Sequence, residues 1–150
     1  MWRQCQWNKP ASQYKRYYSE QKTGKRLMLV AFLKSKFAGY LTIIWKSTYP
    51  PFKKGGIPEI VDLNVLPEYQ GQKIGTKLMN EAEKIISKKS KVVGIGVGLA
   101  PGYNVAQRMY VRRGFIPDGL GITYKNKYVK YGQVVCADDE LVLHFTKLLR

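Results

Sequence analysis

A chain of 150 residues, 45% hydrophobic and 24% charged, has the size and composition of one globular domain and excludes a disordered polypeptide. No apolar run approaches the ~20 residues that a membrane span needs, and the opening MWRQCQWNKP lacks the apolar centre of a signal peptide, so a cytoplasmic protein is expected. Lys and Arg outnumber Asp and Glu by 26 to 10, a formal net charge of +16 that favours polyanionic partners, either nucleic acid or a phosphorylated small molecule.

Residues 8–22 read as a polar, aromatic-rich helix stopped by Thr23 and Gly24. Leu27 to Leu33 and Tyr40 to Trp45 are strand-like, and the segment Lys34 to Gly39 between them predicts an antiparallel hairpin. Ser47 to Pro58 holds three prolines and two glycines and predicts a long connecting loop, suited to walling a site. Glu59 to Leu66 is the next strand. From about Gln72 to Lys89, the side chains of Ile74, Leu78, Ala82, Ile85 and Ile86 share one stripe, while Lys73, Lys77, Glu81, Lys84 and Lys88 form a solvated face. Val92 to Leu99 is again a strand, so residues 59–99 make a strand–helix–strand unit with parallel strands and a right-handed crossover.

Asn104 then reads as the N-cap of a short helix with Ala106, Met109 and Tyr110 along one side, ended in a Schellman stop by Gly114 and Phe115. A turn-rich IPDGLGITY, an irregular Lys125 to Gly132 and a last strand from about Leu141 to Leu148 complete the chain. There is no repeat, low-complexity segment or linker. The reading is one α/β (α+β) domain over residues 1–150, with a central mixed, twisted sheet flanked by helices. Cys5 and Cys136 are too few and too far apart for a disulfide framework or a zinc site.

The segment from Ile60 to Ile86 carries the chemistry. A strand that passes through a glycine-bearing loop into a helix start presents unpaired N–H groups at the positive end of a helix dipole, an arrangement that holds phosphates. The order Gly75, Thr76, Lys77 and its glycine spacing do not make a Walker A loop, which disfavours a nucleoside triphosphatase. Gly94, Gly96 and Gly98 alternate within a strand with no helix at the third, so they describe a bare sheet face rather than a dinucleotide fingerprint.

Residues 59–115 resemble the GNAT superfamily of acyl-CoA-dependent N-acetyltransferases. The family signature Q/R-x-x-G-x-G/A, which follows its fourth strand, is approximated by Gln70, Gly71, Gln72, Lys73, Ile74 and Gly75. A second block, N-x-x-A-x-x-x-Y-x-x-x-GF, is approximated by Asn104, Ala106, Tyr110, Gly114 and Phe115. Two departures stand out. Lys73 replaces a usual glycine; it costs nothing if already helical, its ammonium could sit beside a pyrophosphate, and it weakens affinity if close approach needs glycine. Only 26 residues precede Leu27, so the family's N-terminal strand is expected to be missing or abbreviated, leaving a sheet edge exposed.

The resemblance implies acetyl transfer from acetyl-CoA to a primary amine of a small molecule or peptide in a ternary complex, with no metal. It places the cofactor pyrophosphate on the amides of Gln70 to Thr76 and the pantetheine arm along Leu63, Asn64 and Val65. The oxyanion donor is then a backbone N–H near Val65, and Asn104 bonds the cofactor arm. Tyr110 is the candidate general acid. Glu59, or Asp62 on the opposite strand face by alternation, is the candidate base, a water chain or no dedicated base being the other options. His144, the one histidine, is read by default as a satisfied surface or core residue. The positive surface disfavours polycationic acceptors unless Glu59, Asp62, Asp138, Asp139 and Glu140 form an acidic mouth. The alternative is a non-catalytic CoA-sensing or nucleic-acid-binding module on the same fold, against which the scattered charge and missing aromatic RNA motif argue. A homodimer is compatible with either reading.

Overall fold

The computed structural model describes residues 10–150. The first residues of the predicted N-terminal helix, Asn8 and Lys9, and Cys5 lie outside them. The described elements are α1 (Ala11–Lys22), β1 (Arg26–Leu33), β2 (Lys36–Ile44), α2 (Pro50–Gly55), β3 (Glu59–Val65), α3 (Ile74–Ser87), β4 (Val92–Gly98), α4 (Asn104–Arg112), β5 (Ile116–Tyr124), β6 (Lys127–Tyr128) and β7 (Leu141–Leu148). Single-turn 3-10 helices at Pro67–Tyr69 and Pro101–Tyr103 precede α3 and α4.

All seven strands form one sheet in the order β1-β2-β3-β4-β7-β5-β6. Only β3 and β4 run parallel, as the crossover through α3 requires; the other pairs are antiparallel. No strand precedes α1 among the described residues, and β1 forms one sheet edge. No described helix is long and apolar enough to cross a membrane.

The core follows from side-chain period. The stripe on α3 buries Ile74, Leu78, Met79, Ala82 and Ile86 against Leu41 and Ile43 of β2, Ile60 of β3, and Val93, Ile95 and Val97 of β4. Burying each large aliphatic side chain stabilises the fold by about 1.5–3 kcal/mol. The stop of α4 forms as its sequence predicts. Gly114 has φ 91°, its N–H donates to Val111, the Phe115 N–H donates to Tyr110, and the Tyr110 and Phe115 rings lie 5.9 Å apart.

Other expectations give way. The β1–β2 turn is only Lys34 and Ser35, both at positive φ, and Lys36 to Gly39 extends the strand, because the primed two-residue turn matches strand twist. The predicted loop over residues 47–58 contains α2, nucleated by Pro50 and Pro51 at its start and anchored by the buried Phe52. The turn-rich stretch 116–124 is β5. Its glycines sit at φ 78° and 83° where the pairing register with β7 breaks, so they mark a bulged strand. The irregular stretch after it holds the two-residue β6.

The alternating glycines of β4 do make a bare face, and aromatic rings fill it. A Cβ on Gly94 would collide with the Phe52 ring, and one on Gly98 with the Tyr103 ring. At Gly96 it would meet Val142 at 2.9 Å and the His144 ring at 3.3 Å.

Candidate active site

The sheet is split where its parallel pair should be. β3 and β4 share only the pairs Glu59–Gly94 and Ile60–Ile95. Beyond Ile60 they part: β4 stays with β7 along its length, and β3 stays with β2 as far as Val65. The edge of β3 from Val61 to Val65 that faces β4 therefore has no ladder partner, and an open edge is a template for an extended ligand. Leu63, Asn64 and Val65 all lie on it. β2 approaches tightly on the other side: a Cβ on Gly39 would sit 2.5 Å from the Asn64 carbonyl oxygen.

At the end of that edge the chain turns into α3. Gly71 has φ 77°, Lys73 has φ 62°, and α3 begins at Ile74. The first N–H to find a backbone acceptor is that of Lys77, which donates to Lys73 at 3.0 Å. Among the described residues the N–H groups of residues 71–76 have no acceptor, so a run of donors opens at the positive end of a 14-residue helix. Gln70 ties this loop to β3, its Nε2 donating to the Val65 carbonyl at 3.1 Å. A Cβ on Gly75 would meet only Val65, at 3.8 Å. Protein packing does not demand glycine there, and its effect is to keep the space before the donors open.

Lys73 is not helical. It is the residue before α3 and left-handed, a conformation that costs a side-chain-bearing residue about 1–2 kcal/mol. Lys73→Gly is accordingly expected to be more stable than Lys73→Ala by about 1 kcal/mol in chemical denaturation, since alanine keeps the strain and glycine removes it.

The candidate carboxylates share a face, against the expectation from strand alternation. Asp62 has φ 64° at a break in the β2–β3 register, and this bulge turns its side chain over to the Glu59 side. Arg26 joins the two: its guanidinium lies 4.0 Å from the Tyr17 ring, the Tyr17 hydroxyl donates to Asp62, and the same positive charge acts on Glu59. Asp62 is densely engaged. Its Oδ2 accepts from Gln13 (3.1 Å), Tyr17 (3.0 Å) and Tyr40 (2.7 Å), and its Oδ1 from Asn64 (2.6 Å). Burial and the bonded Asp62 hold the Tyr40 phenol far above its ordinary range, and burial raises that of Tyr17. Glu59 is 9% exposed. Its Oε2 accepts from the Ser47 hydroxyl at 2.5 Å, and its Oε1 has no partner among the described residues. Burial pushes this carboxyl above the usual carboxylate range; the Ser47 hydroxyl and Arg26 partly offset the rise.

Tyr110, 6% exposed, projects from α4 into the core cluster beside Phe115. Its hydroxyl makes no hydrogen bond among the described residues, and burial pushes the phenol up to about 12. Asn104 is not the N-cap. The 3-10 turn before it already brings it to φ −54°, ψ −44°, so it is the first helical residue, and its Oδ1 accepts from the Val105 N–H at 2.7 Å.

Of the expected acidic mouth, Asp139 bonds Tyr103, and the charges of Asp62 and Glu140 also act on that phenol. Its hydroxyl donates to Asp139 at 2.9 Å, and burial and then the Asp139 carboxylate raise its phenol. Asp138 instead accepts from Tyr124, and Glu59 lies beside Ser47 at the closed end of the split. The parts that sequence reasoning missed are Gln13, Tyr17, Arg26, Tyr40, Ser47 and Tyr103. None stands in a motif, and their polar types in mostly apolar neighbourhoods are the only signal.

His144 is buried, stacked on Tyr49 at 3.5 Å with Phe52 edge-on at 5.5 Å, and its Nδ1 lacks a partner. It is a core residue, but not a satisfied one. Burial lowers its pKa to about 4, so the unfolded chain takes up the proton first. Stability is then full above pH 6.5 and falls as pH drops through about 4, by roughly 3 kcal/mol in all. Urea midpoints across that window are expected to show this loss in wild type and a smaller one in His144→Asn.

The acetyltransferase (GNAT) family profile matches residues 1–115. Among solved structures, PaiA N-acetyltransferase from Thermoplasma acidophilum, determined in complex with coenzyme A, is 20% identical with a TM-score of 0.59, covering 89% of this chain and 69% of its own. Ribosomal-protein-alanine N-acetyltransferase from Brucella melitensis is also 20% identical, with a TM-score of 0.62 over 92% of this chain and 77% of its own. At that identity the likeness is one of fold. No curated protein matches the chain.

Proposed function

Since the chain belongs to the GNAT acetyltransferase family, we propose that it transfers the acetyl group of acetyl-CoA to a primary amine of a small molecule or peptide, by direct attack in a ternary complex. The observation that carries this reading is the junction of two features: the unpaired edge of β3 and the unpartnered N–H groups of residues 71–76. Together they suit a ligand with an extended amide-bearing arm and a pyrophosphate, which is the make-up of a CoA thioester.

Acetyl-CoA supplies an activated acyl carbon. The protein's contribution is to hold and orient it and to move two protons. A backbone N–H near Val65 serves as the oxyanion donor, a preorganised dipole worth a few kcal/mol in a water-poor site. Glu59 accepts the proton of the attacking amine at its free Oε1, and a carboxyl raised by burial is better matched to that task than an ordinary one. Asp62 takes a positioning role, because all its engaged lone pairs face protein donors. Tyr110, protonated throughout the neutral range, gives its proton to the departing thiolate.

The test is a thiol-release assay with acetyl-CoA across a panel of amines, paired with calorimetric titration of acetyl-CoA. Binding with amine-dependent thiol release is expected. Binding without release from any amine would favour a non-catalytic CoA sensor, and no binding would overturn the reading.

A further inference from the structure

One oxygen of Glu59 is closed off by the segment that leads into α2. Ser47, 2% exposed, stands at the centre of a two-bond chain: the Tyr49 N–H donates to its Oγ at 3.0 Å, and its own hydroxyl donates to Glu59 Oε2 at 2.5 Å. Chemistry fixes the direction of this chain. A backbone N–H only donates and an ionised carboxylate only accepts, so the serine proton is turned toward Glu59. The segment itself is held by other contacts. The Phe52 ring fills the space over Gly94, the Tyr49 ring stacks on His144 at 3.5 Å, and the Tyr49 hydroxyl donates to Asp118 at 2.7 Å. Ser47 is therefore a fixed donor whose place does not depend on the bond it makes to Glu59.

The other oxygen differs. Glu59 Oε1 has no partner, while His144 Nδ1 is the one unpartnered side-chain N or O sealed from solvent among the described residues, so Oε1 opens onto accessible space. Arg26 of β1 is the one charge that acts on Glu59 among the described residues. Across the ladders Glu59 faces Ile44 of β2 and Gly94 of β4, which carry none. His144 of β7, its pKa lowered to about 4, is neutral where a raised carboxyl titrates.

We infer that Ser47 is a positioning residue: by occupying Oε2 it fixes the carboxylate with Oε1 turned to the incoming amine. Because a donated hydrogen bond favours the charged carboxylate over the acid, Ser47 also keeps Glu59 ionised at lower pH than burial alone would allow. This rests on the role of Glu59 as base in the acetyl-transfer reading above.

The experiment follows the Glu59 carboxyl resonance through a pH titration of the full chain labelled with 13C-glutamate, the signal being assigned by its loss in Glu59→Gln. Ser47→Ala is expected to raise its midpoint by about one pH unit, the roughly tenfold change in acidity of a lost bond to a charged group. Ser47→Cys keeps the shape with a weaker donor and is expected to raise it by less, which serves if Ser47→Ala does not fold. The kinetic arm uses acetyl-CoA and the panel amine that releases thiol fastest. At a pH on the rising limb, Ser47→Ala is expected to lower kcat/KM about tenfold in wild type and by less than about twofold in Glu59→Gln, since a residue that acts through Glu59 has nothing to act on there. An unmoved midpoint, or equal losses in both backgrounds, would overturn the inference and leave the acetyl-transfer reading standing. A wild-type rate with no limb that Glu59→Gln removes would overturn the inference together with Glu59 as the base, and no release from any amine would overturn the whole reading.

Discussion

Tyr110→Phe is expected to lower kcat by about 10²-fold or more, while acetyl-CoA affinity stays within about twofold of wild type. The two readouts separate because the hydroxyl and the ring have different duties. The ring closes the α4 stop against Phe115 and belongs to the core cluster, and phenylalanine preserves both contacts. The hydroxyl bonds nothing in the protein among the described residues, so its loss leaves no partner unsatisfied. Stability should therefore hold or rise slightly while the leaving thiolate loses its proton donor. An unchanged kcat in Tyr110→Phe removes the residue from the mechanism.

Glu59→Gln is the second large effect, with kcat/KM expected to fall roughly 10- to 100-fold. A base works only when ionised, so wild-type kcat/KM should rise with pH through the elevated pKa of Glu59, on a limb above the ordinary carboxylate range. Glutamine abolishes that limb. The stability readout runs the other way. Because the folded-state value is raised, folding is favoured with Glu59 protonated, and this contribution is lost as pH rises from the ordinary carboxylate range through the raised value. Glu59→Gln removes that loss, so at neutral pH the variant is expected to be at least as stable as wild type and much less active. A variant that loses activity and stability together would instead mark Glu59 as structural.

What the sequence discloses here tracks how local each determinant is. The face of α3 and the Schellman stop at Gly114 are fixed by residues within a few turns of one another, and both form as their spacing predicts. The donor run at residues 71–76 is legible for the same reason. Asp62 is the opposite case. Alternation assigns it away from Glu59, and only a positive φ at a register break, set by how β2 pairs with β3, brings the two carboxylates to one face. Its partners Tyr17 and Gln13 come from 45 and 49 residues earlier, a distance across which no local pattern carries information. β5 was hidden by its own glycines, which signal turns locally but serve as bulges once β7 supplies a partner. Lys73 shows both sides: the sequence marks it as anomalous, but its left-handed backbone, and hence the strain it brings, belongs to the folded loop.

The most direct test of the central claim is the backbone amide spectrum of uniformly 15N-labelled protein titrated with acetyl-CoA. If the donor run and the open strand edge hold the ligand, the largest shifts should fall on residues 71–76 and 61–65, with β1 and β6 at the sheet edges unmoved. Saturable shifts confined to other parts of the molecule, or no shifts at millimolar acetyl-CoA, would contradict it.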